Sequence, residues 1–482
     1  MKSKCQISIL FIIFCASASL VFQSEANRSS MTSNKDFFIT NDNYKPNQVI
    51  SPPMVSNAIE FSNYNLSVIF DESTSSVMGN LTVDFYNNDF VNFTRIPFHL
   101  FLSGMLYDTR QGNIEILNVT TIGVPKTILS YDVNTTAQLL WVDLETILEP
   151  YQRTYFEIQF NSTIPDGGYD RANSHGNDYD SSKIFKFTSF YPMPCVYDKF
   201  DGWNIDPYLN ACDPFYYDMA YYNLAIEAPN GMIVAGSGKL IEKSTGTSTT
   251  TYLFDPELPV REVTFAASRY YLVETMLFKG VNISTYYLPK SSYIWQIDAL
   301  VYARLSLSLY NDTFGEYPYS NLNLVQEYAS TYLGMEYPIQ MYASEIIDHY
   351  AYPTNVLKQI LEKVIVHEVG HQWWYNLVGF DEVDWGFLDE GLTCWTTDYY
   401  AEIIHSNWEY FQWDRYLDTV RIYYETNGLP SKLNQSAYDL IENHLDHVFI
   451  SYRKSPLIFE KIRRVIGDSN FILGLQTFFN QY

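Results

Sequence analysis

Between about Asn57 and Tyr270 the chain is built of short runs rich in β-formers, separated by Asn, Asp, Gly and Pro. Leu81-Thr82-Val83-Asp84-Phe85-Tyr86 and Met232-Ile233-Val234-Ala235 are two such runs, and together the runs predict an all-β sandwich or saddle. The polar, Thr-rich stretch from Ser244 to Thr251 reads as a hairpin or loop. From about Ser291 the period changes. Ile294 to Leu309 is spaced as a helix, and Val356, Ile360, Val364 and Ile365 recur at helical intervals after a helix start at Pro353. Gly379 to Asp384 reads as a turn, and a second helix is expected from about Leu388 to Ile404. The apolar segment Phe471 to Phe479 reads as a helix that packs on something. These patterns divide the chain near residue 270, into a β domain over 56–270 and a mainly helical domain over 271–482.

Candidate chemistry lies inside the predicted helix. In His367-Glu368-Val369-Gly370-His371 the two histidines are four residues apart, one helical turn, so both imidazoles reach one cation while Glu368 projects to the side. Glu390 comes after eighteen intervening residues, in the first turn of the second helix, and completes a set of two His and one Glu. Such a set holds zinc with one position left open, the mark of a catalytic site rather than a structural one. The competing reading is two surface histidines on an amphipathic helix, with Glu390 as an N-terminal charge favoured by the helix dipole. The coincidence of three ligands and a base at workable spacing speaks against it.

With its Trp385-Gly386-Phe387-Leu388-Asp389-Glu390-Gly391 context, this pattern resembles the zinc metallopeptidases of the aminopeptidase N type (gluzincin aminopeptidases), which include leukotriene A4 hydrolase. Gly334-Met335-Glu336-Tyr337-Pro338 resembles that family's exopeptidase signature in a Gly-Met-Glu-Tyr-Pro variant. The resemblance implies that Gly334 and Met335 line the substrate site and that Glu336 holds the free α-ammonium group. Ser451-Tyr452-Arg453-Lys454 is similar to the family's Tyr-x-Lys-Gly segment, which implies that Tyr452 stabilises the oxyanion. A thermolysin-like zinc-peptidase domain is implied as well, with one Zn²⁺ held by His367, His371 and Glu390, Glu368 as general base, and peptide substrates with a free N-terminus. Departures are Leu333 for the signature's first glycine, Asp389 for the usual asparagine, and Ser455-Pro456 after Lys454. The helical C-terminal region usual in such enzymes is expected to be lacking, which gives a shortened chain or a minimal enzyme with an open cleft. A thermolysin-like endopeptidase, or a catalytically silent binding or adhesion protein, is the alternative.

The N-terminus adds a targeting signal. Lys2 and Lys4 precede an apolar run within residues 5–22, read as a secretory signal peptide over 1–26 or as an uncleaved membrane anchor. A polar segment over 27–55 is expected to be disordered. Asn-x-Ser/Thr sequons at Asn27, Asn65, Asn80, Asn92, Asn118, Asn134, Asn161, Asn282, Asn311 and Asn434 fit a secreted or lumenal glycoprotein, or a type II membrane protein with its catalytic part outside the cytoplasm. In an oxidising lumen Cys195 and Cys212 could pair, while Cys394 is expected to be a buried thiol. The net charge of −25 excludes nucleic acid as a partner, because phosphate binding needs a basic surface.

Overall fold

A seven-stranded sheet organises the first half of the molecule. In spatial order its strands are Lys239–Thr245, Thr249–Asp255, Ala220–Pro229, Ser62–Asp71, Ser76–Tyr86, Arg153–Thr163 and Asn113–Thr121. All neighbours are antiparallel except Ser62–Asp71 and Ala220–Pro229, which run parallel. Burial alternates residue by residue along Ser62–Asp71 and Ser76–Tyr86, so one face lies on the core and the other faces solvent. Two four-stranded sheets cover the inner face. Phe70 on the large sheet meets Phe185, Phe187 and Phe265 of one of them at centroid distances of 5.0, 5.4 and 6.4 Å, and Phe98 of the other meets Phe156 at 6.0 Å. The expected β sandwich is therefore present, with the Thr-rich stretch as the hairpin between Lys239–Thr245 and Thr249–Asp255.

The computed structural model describes residues 60–107, 110–167, 171–176, 182–210, 212–405, 413–427, 432–441 and 444–481. The signal peptide or anchor and the polar segment 27–55 lie outside the described residues. Among the described residues no helix is long and apolar enough to cross a membrane.

The second half differs from expectation in one respect. A mainly helical domain is expected there, and a five-stranded sheet that the periodicity does not reveal is present beside its helices, in the order Leu272–Phe278, Val281–Tyr287, Asn321–Glu327, Gln340–Ser344, Gly334–Met335. Its three middle strands are parallel, with the helix Asp298–Thr313 in the crossover between the first two of them. Every residue of Asn321–Glu327 is buried although four of the seven are polar, which conceals the strand from pattern reading. Three of these polar side chains bind backbone, and the fourth, Glu327, pairs with the buried Lys186. Asn321 donates to the Gly238 carbonyl at 2.7 Å, Asn323 to that of Gly236 at 3.0 Å, and Gln326 accepts from the Leu288 amide at 2.8 Å. Residues 61–482 form one compact unit with a continuous apolar core.

Thr354–Gly370 is helical as the spacing predicts, directly after Pro353. The next helix, Glu382–Ile404, begins earlier than expected because Asp381 caps it, accepting from the amides of Val383 and Asp384 at 3.1 and 3.2 Å. It bends at Trp385, whose φ of −131° is not helical. The segment Asp468–Gln481 is a helix, and it packs where the sequence leaves it without a partner. Phe471 contacts Trp395 at 4.8 Å, and Phe478 stacks on Trp374 and Phe380 at 6.4 and 6.2 Å.

Cys195 and Cys212, which could pair in an oxidising lumen, are both free thiols. Cys195 is held on the β side, where its backbone N–H donates to the Pro97 carbonyl at 3.0 Å, whereas the Cys212 sulfur sits 3.1 Å from His447 Nδ1. Each is fixed to a different part of the fold. Cys394 is a buried thiol, as expected.

Glu262 is fully buried and neither carboxylate oxygen has a hydrogen-bond donor. Burial pushes its pKa up to about 8, against a weak pull from Arg171. The folded chain thus keeps a proton there that the unfolded chain releases above about pH 4.5, so stability falls as pH rises from about 4.5 towards 8. Glu262→Gln should remove this dependence and stabilise the protein at pH 8 by on the order of 1–3 kcal/mol. Thermal midpoints of both proteins across that range provide the check, and identical pH profiles would contradict it.

Candidate active site

The helix Thr354–Gly370 buries Val356, Leu357, Leu361, Val364 and Ile365 and so turns His367 and Glu368 to a fixed side. His371 comes next as its C-terminal cap. The helix Glu382–Ile404 crosses beside it, and Gly370 permits the close approach, since a Cβ there would lie 3.1 Å from the Thr393 methyl. That second helix presents Glu390, Thr393 and Thr397 to the two histidines. Thr393 Oγ1 is 3.1 Å from His371 Nδ1, and Thr397 Oγ1 is 3.3 Å from His367 Nδ1.

Three ligand atoms converge. His367 Nε2 is 3.2 Å from His371 Nε2 and 3.1 Å from Glu390 Oε2, and His371 Nε2 is 3.7 Å from the same oxygen. A tetrahedral zinc with bonds of 2.0–2.1 Å has ligand edges of roughly 3.3–3.4 Å, so these atoms fit the ion with small adjustments. Proton placement agrees. Asp389 Oδ1 lies 2.7 Å from His371 Nδ1, and an acceptor there fixes the proton on Nδ1 and leaves the Nε2 lone pair facing the cluster.

Glu368 adjoins this triad. Its Oε2 is buried and has no hydrogen-bond partner, and burial, with Glu336 adding to it, holds its pKa well above the usual carboxylate range. A Cβ on Gly334 would sit 2.1 Å from Glu368 Oε1, so only glycine leaves the Glu368 carboxylate its place. Glu336 is buried with a carboxylate oxygen within 4.8 Å of ligand atoms of His371 and Asp389. Its pKa is also raised, by burial first and by Asp213 next. Asn376 and Gln372 donate to the Glu336 carbonyl at 2.6 and 3.3 Å, anchoring the strand end to the loop that leaves the first helix. Met335 is buried, and its sulfur receives Arg171 Nη1 at 2.6 Å.

Tyr452 reaches the same place from the far end of the chain. Its hydroxyl donates to Glu390 Oε1 and its ring stacks on His367 at 6.3 Å. It lies in a π-helical segment, Ile450–Lys454, that passes into the helix Ser455–Ile466, with Pro456 just past the junction. A Cβ on Gly391 would approach the Ser455 Cβ to 2.5 Å, so this glycine lets the segment close on the Glu390 helix. The site residues singled out in the sequence thus lie together around the three ligand atoms.

Three further residues there carry no sequence signal. Arg171 and Asp213 form a buried ion pair, with Arg171 also over the Phe215 ring at 4.8 Å, and Asp213 has a carboxylate oxygen within 4.8 Å of those of Asp389 and Glu390. Both come from the β-rich half, where a lone Arg and a lone Asp belong to no motif. Glu382 is the third, buried near Asp389.

Residues 299–482 match the model of the peptidase family M1 domain. Over 247 residues the chain is 26% identical to the alanine/arginine aminopeptidase of Saccharomyces cerevisiae, which covers 49% of this chain and 28% of that protein. Over 244 residues it is 24% identical to the mitochondrial aminopeptidase 2 of the same yeast, covering 49% and 25%. The matched part thus spans only about a quarter of each of these relatives. The fold is that of a solved M1 zinc metallopeptidase from Deinococcus radiodurans, with a TM-score of 0.61 over 88% of this chain and 86% of that one, at 16% identity. The part matched to the peptidase family M1 domain model follows the β sandwich, and His367, Glu368, His371, Glu390 and Tyr452 all lie within it.

Proposed function

We propose that this protein is a zinc-dependent aminopeptidase that hydrolyses the N-terminal peptide bond of peptides. The observation that carries the reading is the convergence of three ligand atoms, 3.1–3.7 Å apart, beside two buried carboxylates, Glu368 and Glu336. Zinc held by His367, His371 and Glu390 supplies a Lewis acid for the scissile carbonyl and the attacking water. The chain's own residues do the rest. Glu368, with its raised pKa, takes a proton from the attacking water at its carboxylate and later passes it to the leaving amine. Tyr452 turns its hydroxyl from Glu390 to the oxyanion as that charge develops. Glu336 receives the substrate's α-ammonium group, which restores charge to a carboxyl that burial otherwise keeps neutral. A fixed anion at that point selects a free N-terminus and disfavours internal cleavage.

The same reading takes 56–270 as the β domain and 271–482 as the catalytic domain, with Gly334 and Met335 lining the substrate site. Entry into the secretory pathway, glycosylation at the sequons, and either release or anchoring through residues 5–22 complete it. Support for this comes from the apolar N-terminal run and the sequons on exposed strand positions such as Asn65 and Asn134.

A fluorogenic dipeptide series with free and N-acetylated termini tests the substrate class. Only the free forms should be cleaved. Equal cleavage of both would replace the reading with an endopeptidase, and cleavage of neither would replace it with a silent binding protein. Gly334→Ala tests the geometry of the base, because its Cβ would displace the Glu368 carboxylate. Zinc content should stay stoichiometric while kcat falls by roughly 10²–10⁴. Unchanged kcat would contradict the placement of Glu368.

A further inference from the structure

Four of the sequons fall on one sheet and on one side of it. They are Asn65-Leu66-Ser67, Asn80-Leu81-Thr82, Asn118-Val119-Thr120 and Asn161-Ser162-Thr163, on the strands Ser62–Asp71, Ser76–Tyr86, Asn113–Thr121 and Arg153–Thr163 of the seven-stranded sheet. Gln159 pairs with Asn80 on one neighbouring strand and with Asn118 on the other, and side chains directly opposite share a face. Asn161 is two residues from Gln159, and Asn65 is two residues from Ser67, which pairs with Asn80, so the period of two puts both on that face as well. It is the outer face, since the intervening Leu66, Leu81, Val119 and Phe160 are buried in the core. Strands about 4.8 Å apart place Asn80 and Asn118 roughly 10 Å from each other, with Asn161 on the strand between them. Asn65 is exposed and uses only its Oδ1, which accepts from Asn223 Nδ2 at 2.8 Å, so its own Nδ2 is left over; the other three are half-buried. Ile69 and Met78 stand on the same face, paired across neighbouring strands and 53% and 59% exposed. Met78 is also the direct partner of Asn161 and lies two residues from Asn80. A solvated polar face accounts for the Asn, Ser and Thr side chains, but not for two large apolar side chains open to water side by side among them.

We propose that Asn65, Asn80, Asn118 and Asn161 each carry an N-linked oligosaccharide, and that these sugars together cover Ile69 and Met78 on the outer face of the sheet. The proposal rests on the reading that the chain enters the secretory pathway, where the donor is an oligosaccharide joined to a lipid through diphosphate. At each site the side-chain Nδ2 attacks the first sugar carbon. The N–C bond forms as the bond from that carbon to the phosphate oxygen breaks, the lipid diphosphate leaves, and the amide gives up one proton. Along the chain the four sites are far enough apart to be modified one at a time, before their strands pair. Once the sheet forms, the sugars are gathered on one surface. The apolar faces of their rings then take Ile69 and Met78 out of water, while their hydroxyls stay hydrated.

The test uses the full chain made in cultured eukaryotic cells. Peptide N-glycosidase in heavy-oxygen water turns each glycosylated Asn into a labelled Asp that mass spectrometry of peptides locates. Asn65, Asn80, Asn118 and Asn161 should all be labelled, and so should Asn134, an exposed strand position on another sheet that marks entry into the secretory pathway. Hydroxyl-radical oxidation of Met78 is then compared between the glycosylated and the natively deglycosylated protein, and it should rise severalfold when the sugars are removed. Should the deglycosylated protein unfold, the variant Asn161→Gln, which lacks only the sugar opposite Met78, takes its place in the comparison. Any of the four sites left unlabelled in a chain whose Asn134 is labelled, or equal oxidation of Met78 with and without sugar, would overturn the proposal alone. A chain without label at any sequon, Asn134 included, would overturn secretory entry along with it. Neither result bears on peptide cleavage, so the proposed activity stands or falls separately.

Discussion

The site depends first on the contact between His371 and Asp389, 2.7 Å long and closed to solvent. It joins the end of one helix to the start of another, and it decides which nitrogen of His371 is free to bind a cation. Gly370 and Gly391 permit the approach on either side, one against Thr393 and the other against Ser455. Once these elements close, Glu390 and Tyr452 have little freedom left. The geometry of the ligand set is then a consequence of helix packing rather than of the metal alone.

That packing brings acids together at a cost. Asp213, Glu336, Glu368, Glu382, Asp389 and Glu390 are all buried around the triad, and Arg171 is paired with the first of them. Burying like charges without partners is expensive, so the pocket favours whatever brings positive charge: protons, a divalent cation, the α-ammonium of a peptide. Because the cluster exists only in the folded chain, metal binding and folding stability are coupled here.

Much of this is legible in the chain. His367, Glu368 and His371 declare themselves because a short helical spacing encodes their geometry, and the helix Thr354–Gly370 arises from an uninterrupted apolar period. The β-rich half is readable from its short runs. Asn321–Glu327 is not, because its buried polar residues are satisfied by distant backbone groups and by Lys186 and so break the hydrophobic pattern. Arg171 and Asp213 are hidden for a related reason, since they reach the pocket from far along the chain through loops whose course no local pattern encodes. The free state of Cys195 and Cys212 is likewise a tertiary fact. Asp389 is an intermediate case. Its identity stands out in the sequence, while its meaning appears only with His371 Nδ1 against its Oδ1.

The assignment on which everything else turns is that His367, His371 and Glu390 hold one zinc ion, and diffraction at the zinc absorption edge from crystals of the purified protein addresses it most directly. A single anomalous peak is expected within bonding distance of His367 Nε2, His371 Nε2 and the Glu390 carboxylate. A peak elsewhere, or none at this triad in crystals grown with zinc, would contradict it.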